Sequence, residues 1–199
     1  MQLDLLRLYR NAILGALGGL GGWALITLLV RFDTSNTWLL FLKDALTGAA
    51  VGACIGLALG FAAQSGGGWT REKLRGVLLS GGIGLGAGFV GLVIGEAIFS
   101  LAGGGVWPRA VGWAIFGLLL GAGLWPVTRM PSQGIYGALG GALGGLIGGS
   151  TYERLSLLLR GAGIDRQLAL TIGSAIGLII LGACSGLLIG LVENILRKA

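Results

Sequence analysis

Long apolar stretches, separated by short polar or turn-forming segments, make up nearly the whole chain. A helix needs about 20 residues to cross a hydrocarbon layer of about 30 Å, and each stretch reaches or approaches that length. The pattern therefore predicts six transmembrane helices and leaves no room for a soluble domain. The predicted spans are 11–30, 44–63, 76–99, 109–127, 133–152 and 166–192.

Glycine is the most unusual component of these stretches, because 42 of the 199 residues are glycine and most of them lie inside the apolar spans. In water, a glycine inside a helix is destabilising by roughly 0.5–1 kcal/mol relative to alanine. In lipid the backbone must form its hydrogen bonds internally, and glycine then lets helix axes approach closely. The sequence thus predicts a single all-α transmembrane domain, residues 1–199, packed through glycine.

Glycines spaced four residues apart lie on one helix face and form GxxxG-type ridges, against which a neighbouring helix packs. Span five carries two such rows, so two neighbours can approach it closely, and we expect this span at the centre of the bundle. Packing is favoured over the alternative, in which the glycines line a pore. The predicted packing glycines are Gly52, Gly56, Gly60, Gly117, Gly121, Gly137, Gly141, Gly145, Gly149, Gly182, Gly186 and Gly190.

Short motifs recur along the chain in successive pairs of spans, which are offset from one another by roughly 60–70 residues. GACIGLALG at 52–60 in span two matches GACSGLLIG at 182–190 in span six. WAIFGLLLG at 113–121 in span four has the same pattern, with tryptophan in place of the first glycine. GALGG occurs at 15–19 and again at 137–141. We interpret spans one-two, three-four and five-six as three pseudo-repeated helical hairpins.

Composition and charge agree with a membrane protein. Apolar residues make up 54% of the chain and charged residues 11%, and the mean hydropathy is +0.88. The net charge of +6 would also suit a nucleic-acid binder, but the basic residues fall in short clusters at span ends, as membrane orientation requires. A weak basic bias favours cytoplasmic N- and C-termini. The stretch 11–30 is too long for a signal-peptide core, so we interpret it as an uncleaved first span.

Few residues in the chain can carry chemistry. The sequence has no histidine, which removes histidine-based triads and metal sites, and we predict no enzymatic activity, no cofactor and no metal. Cys54 and Cys184 lie within apolar spans and are interpreted as small packing residues. Glu96, Glu153 and Glu193 fall near span ends, which favours anchoring at the membrane interface over ion coupling.

The segment 64–75 is the largest loop predicted on the cytoplasmic side. Its basic and aromatic residues suit contact with anionic lipid headgroups, and docking of a partner protein is the alternative. The residues concerned are Trp69, Arg71, Lys73 and Arg75.

The stretch from WPRAVGWAIFGLLLG (107–121) through GALGGALGGLIGG (137–149) resembles glycine-rich multipass segments that accompany FHA or von Willebrand A modules in some bacterial proteins. This sequence departs from that arrangement because it contains no soluble signalling module. The resemblance implies a membrane anchor or a partner-coupled membrane component, and it assigns no site residue. We accordingly expect the protein in the bacterial inner (plasma) membrane.

Together these features predict a non-enzymatic integral membrane component that acts as a scaffold, anchor or assembly subunit of a larger complex. Its expected partners are membrane lipid and either other membrane subunits or further copies of itself, and we expect no nucleic-acid partner. The alternative is a channel or transporter for a small or neutral solute, in which glycine faces allow a narrow path. A lipid-handling enzyme would need a cluster of acids or hydroxyl groups that the sequence does not show.

Overall fold

The computed structural model describes residues 4–29, 37–64, 68, 70–123 and 131–196 of the chain. All regular structure within these residues is α-helical, so the predicted fold class is confirmed at that level. The helices are α1 (Leu5–Leu29), α2 (Thr37–Gln64), α3 (Arg71–Leu101), α4 (Val106–Ala122), α5 (Pro131–Gly161) and α6 (Arg166–Leu196).

Local sequence explains how the chain enters and leaves several helices. The Thr70 hydroxyl caps α3 by accepting a hydrogen bond from the Lys73 N–H at 3.4 Å. After α3, three glycines at 103–105 have φ angles of 73, 86 and 108°, which favour glycine, and they turn the chain into α4. The Asp165 carboxylate caps α6 by accepting hydrogen bonds from two N–H groups in its first turn. These caps fix the positions at which consecutive helices reverse direction.

The helices form a closed ring in which each packs against the next one along the chain and α6 packs against α1. Neighbours run in opposite directions, since Gly48 and Gly52 of α2 lie against Gly88 and Gly84 of α3, respectively. The ends of α1, α3 and α5 therefore lie at the same end of the bundle as the starts of α2, α4 and α6.

Large apolar side chains from alternate helices fill the centre of the ring. α2, α4 and α6 touch one another there, and they supply nearly all of the buried apolar core. The core cluster consists of Val51, Ile55, Leu59, Leu92, Trp113, Phe116, Leu120, Leu178, Leu181 and Ile189. Of these, Leu92 alone comes from an odd-numbered helix, α3.

The prediction that span five forms the bundle centre is therefore wrong. The corresponding helix, α5, packs between α4 and α6 and exposes Leu139, Leu143 and Ile147 on its outer side. Its two glycine rows do allow two neighbours to approach, but bare backbone cannot fill the middle of a bundle. That volume is taken by the bulky side chains of the even-numbered helices.

Glycines lie directly against neighbouring backbone around the ring. A Cβ atom added to Gly15 would fall on the carbonyl oxygen of Gly182, and a Cβ added to Gly182 would fall on that of Gly15. The same reciprocal relation joins Gly117 of α4 to Gly141 of α5. No side chain fits between the helices at such points, so any larger residue must push them apart.

Four helices, α1, α2, α3 and α6, are long and apolar enough to cross a membrane. α4 is apolar but has 17 residues, which is about 26 Å at 1.5 Å per residue. α5 has 31 residues, and its many glycines lower its mean hydropathy. Large apolar side chains, among them Leu17, Phe89 and Leu143, are exposed on the outside of the bundle. These features indicate an integral membrane protein.

Several helices are longer than the predicted spans, because polar residues at their ends continue the helix. α3 includes Arg71–Arg75 ahead of the predicted span 76–99, and α5 continues from span 133–152 to Gly161. Span four, predicted at 109–127, corresponds to α4, and its last residues fall in the stretch 124–130, outside the described residues.

We expect Gly84→Ala to lower the thermal stability of the detergent-solubilised protein, and Gly86→Ala to leave it unchanged or raise it. A Cβ on Gly84 falls on the carbonyl oxygen of Gly52, whereas a Cβ on Gly86, also on α3, has no packed neighbour within 4 Å. Overpacking of this kind costs about 1–3 kcal/mol. Thermal unfolding followed by tryptophan fluorescence measures the difference, and equal melting temperatures for the two variants would contradict this packing.

Candidate functional site

Charged side chains from four helices meet at the end of the bundle where α3 ends and α4 begins. They are Asp44 of α2, Glu96 of α3, Arg109 of α4 and Glu153 of α5, and we call them the charge cluster. α3 and α5 reach this end with their C-terminal parts, and α2 and α4 reach it with their N-terminal parts. The alternating helix directions therefore bring together residues that are far apart in the sequence.

Arg109 lies at the centre of the charge cluster. Its Nη1 donates a hydrogen bond to Oε2 of Glu96 at 2.8 Å, and its Nε lies 3.9 Å from Oε2 of Glu153. The side chain of Arg109 is 18% exposed, that of Glu96 6% and that of Glu153 17%. Asp44 adds a third carboxyl group, close enough to interact electrostatically with Glu96 and Arg109. Two carboxyl groups therefore lie within 4 Å of one largely desolvated guanidinium, and a third is near.

Aromatic rings enclose the guanidinium of Arg109. Its Cζ lies 3.6 Å from the ring centroid of Phe99 and 5.6 Å from that of Tyr152. Tyr152 stacks on Trp113, with centroids 5.4 Å apart and an interplanar angle of 14°. The rings exclude water and add cation–π attraction, so the guanidinium is held both at its polar edge and over its faces.

The geometry of the charge cluster suits the joining of helices. An arginine stays protonated in proteins, so it cannot serve as a general acid or base. The Nε of Arg109 is buried and has no hydrogen-bond partner among the described residues, because Glu153 lies beyond hydrogen-bonding distance. Within the same part of the chain, no three His, Cys, Asp or Glu side chains are placed to hold a metal ion. The guanidinium of Arg109 on α4 thus hydrogen-bonds to Glu96 of α3 and lies beside Glu153 of α5.

The sequence pattern predicts Glu96 and Glu153 near span ends, and both lie towards the same end of the bundle. It does not reveal that Arg109 joins them or that Glu96 is buried. One sequence feature could have predicted this pairing. Arg109 lies at the start of α4, and the helices before and after it, α3 and α5, each carry a glutamate towards their end. The side chain of Glu193 lies outside the described part of the chain. Cys54 and Cys184 are unbridged and half-buried.

The structure places the predicted packing glycines against neighbouring helices in a regular order. Those of α2 (Gly52, Gly56, Gly60) face α3, those of α4 (Gly117, Gly121) face α5, those of α5 (Gly137, Gly141, Gly145, Gly149) face α4, and those of α6 (Gly182, Gly186, Gly190) face α1. Trp113 meets Gly145 and Gly149, and it occupies the position of the first glycine in the repeated motif. Each even-numbered helix thus directs its glycine row at the next odd-numbered helix around the ring.

The predicted headgroup-contact residues lie at the opposite end of the bundle, where α3 begins. Arg71 and Arg75 are exposed on its first two turns, and Lys73 is half-buried. Residues four apart share one side of a helix, so the two arginines lie together. Trp69 is outside the described residues. The structure therefore brings two of the four predicted residues, Arg71 and Arg75, onto one exposed surface.

No family model, curated protein or solved structure matches the chain. The resemblance to segments that accompany FHA or von Willebrand A modules therefore stays a prediction.

We expect Arg109→Gln to destabilise the bundle far more than Arg160→Gln. Loss of the Arg109 guanidinium leaves Glu96 buried without its partner, which costs about 3–5 kcal/mol for a buried pair, whereas Arg160 is exposed near the end of α5. The double variant Glu96→Gln/Arg109→Gln removes both charges and should regain part of the lost stability. Thermal unfolding of the purified variants measures this, and a double variant that is less stable than Arg109→Gln alone would count against the pairing.

Proposed function

We propose that the protein is a non-enzymatic integral membrane component, which acts as a scaffold, anchor or assembly subunit of a larger membrane complex. The observation that carries this proposal is the filled centre of the bundle, where large apolar side chains of α2, α4 and α6 pack together. A solute pathway needs space or polar groups along its length. A closed body with an apolar core suits a structural role better.

We also propose that all six helices cross the membrane. The protein would then lie in a bacterial inner membrane with both termini in the cytoplasm. The support for six crossings is that α4 and α5 belong to the same ring as the four long apolar helices. The glycines of α5 are buried against its neighbours, while leucine and isoleucine face outward. The outer face of α5 is therefore more apolar than the mean hydropathy of the whole helix suggests. The orientation rests on basic residues, including Arg10 and Arg71, at the end where α1 and α3 begin.

The three helical hairpins are proposed to be pseudo-repeats of one unit. What supports this is the cyclic order of the glycine contacts, which run from α2 to α3, from α4 to α5 and from α6 back to α1. Ile55, Phe116 and Ser185 occupy the same position of the recurring motif, and all three are fully buried. Matched positions in the motif thus have matched environments.

In this proposal the predicted glycine ridges form contacts between helices of the same chain. They hold adjacent helices of one bundle together, so a partner subunit must contact other surfaces. Exposed apolar positions are present on all sides, and Leu17 of α1, Phe89 of α3 and Leu143 of α5 represent three of them. Either a second copy of the chain or a different membrane protein can pack there.

A channel or transporter for a small or neutral solute is the alternative, and the charge cluster favours it. Buried carboxylates within membrane helices often belong to ion or proton pathways, and Glu96 is such a group. The cluster lies at one end of the bundle, however, and the apolar core separates it from the other end. The alternative therefore requires the core to open.

In proteoliposomes we expect the purified protein to leave the permeability to water, glycerol and protons at the level of protein-free vesicles. The apolar core side chains, Phe116 among them, block the axis of the bundle. Stopped-flow light scattering measures water and glycerol flux, and an enclosed pH-sensitive dye measures proton flux. A protein-dependent flux of water, glycerol or protons would overturn the scaffold proposal in favour of transport.

In membranes we expect a photoreactive residue at Leu17, Phe89 or Leu143 to cross-link to another subunit or a second copy. These three positions are exposed on different helices, whereas Phe116 is fully buried and serves as the matched negative control. Blue-native electrophoresis after mild solubilisation should show a species larger than the monomer. A clean monomer with no cross-link from any exposed position would count heavily against an assembly role.

A further inference from the structure

A shallow, widely open groove of about 540 Å³ lies along the outer face of α3, at the end of the bundle opposite the charge cluster. Its described lining residues all belong to α3, and the apolar ones include Leu74, Leu78 and Leu79. Gly82 lies further along the groove, and a Cβ added there would have no packed neighbour within 4 Å. The missing side chain leaves an open apolar depression on the bundle surface, along which an extended alkyl chain can lie.

Two arginines, Arg71 and Arg75, border the outer end of the groove. Both side chains are exposed, and within the described part of the chain neither guanidinium is in an ion pair with a carboxylate. The N-terminus of α3 adds the positive end of a helix dipole at the same place. An anionic group at the mouth of the groove is therefore favoured by charge.

The other described arginines at this end of the bundle are engaged within the chain. Arg7 lies 3.9 Å from the carboxylate of Asp4. Arg10 donates a hydrogen bond from Nη2 to the carbonyl oxygen of Ala62 at 3.2 Å, which satisfies a carbonyl near the end of α2. The pair beside the groove differs because its charge is directed away from the bundle.

We propose that this groove binds one anionic phospholipid, with the phosphate at Arg71 and Arg75 and an acyl chain along Leu78, Leu79 and Gly82. α3 rises about 10 Å from Arg75 to Gly82, so the basic and apolar parts follow each other as headgroup and acyl chain do in one leaflet. A partner helix would cover the apolar walls but leave both guanidinium groups unneutralised unless it carried acids at that depth. Charge complementarity thus selects the lipid, and this inference does not rest on the proposed scaffold function.

Native mass spectrometry of the full chain, released from nanodiscs with equal phosphatidylglycerol and phosphatidylcholine, tests the site. We expect one phosphatidylglycerol to be retained preferentially, and Arg71→Gln/Arg75→Gln to lower that preference by about tenfold or more. Gly82→Leu should also lower retention, because its side chain fills the groove while meeting no packed neighbour. Inorganic phosphate should not displace the lipid, since it lacks the acyl chain.

Two matched controls separate the site from general effects. Arg160→Gln/Arg166→Gln removes two exposed charges at the other end of the bundle, and Gly86→Leu adds the same leucine at an equally open position outside the groove. Both should retain phosphatidylglycerol as the wild type does, and circular dichroism checks that each variant is folded. The proposal is overturned if the wild type shows no lipid preference, if the controls lose lipid equally, or if only one of the two site variants has an effect. It also fails if a co-purified protein occupies the groove.

Discussion

The close approach of helix backbones is the constraint on which this structure depends. Helices in lipid gain little from burying apolar side chains against each other, since lipid is equally apolar, and their association rests on van der Waals contact and interhelical hydrogen bonds. Glycine pairs such as Gly52 with Gly84, or Gly15 with Gly182, bring one backbone to the place where a Cβ would lie. Because contacts of this kind recur around the bundle, the helices close into a ring whose first and last members meet.

Within that ring, odd- and even-numbered helices have different tasks. At the contacts between helices, the odd-numbered helices present mostly glycine backbone. The even-numbered helices carry glycine on one side and direct bulky apolar side chains towards the centre of the bundle. Trp113 of α4 both fills the core and contacts the glycine row of α5. It replaces the first glycine of the repeated motif, yet α5 still packs closely because Gly145 and Gly149 face it. Its ring then reaches Gly177 of α6 and stacks on Tyr152, so one large side chain replaces a backbone contact without opening the ring.

Local sequence is enough to predict an all-helical membrane protein, because span length and hydropathy act within each helix separately. The position of each helix in the bundle depends on its neighbours. The glycine content of α5, taken alone, led to the wrong prediction that this helix lies at the centre. A helix without bulky inward side chains can be approached from two sides but cannot fill a core. The charge cluster was harder still to predict, since Asp44, Glu96, Arg109 and Glu153 lie on four helices. Their meeting depends on the order and alternating direction of those helices, which no spacing in the sequence records.

Arg109 and the pair Arg71 and Arg75 differ in their surroundings, and the positions of their helices explain the difference. Arg109 begins a helix that lies between two neighbours carrying glutamates, so its charge is neutralised inside the protein and enclosed by Phe99. Arg71 and Arg75 lie on the exposed face of α3 at its start, beside an open apolar groove and with no carboxylate of the described residues against them. In the first arrangement the two charges depend on each other, because removing one partner would leave the other buried and uncompensated. The charges of Arg71 and Arg75 are not neutralised by carboxylates of the described residues. They can therefore attract an anion from outside the chain.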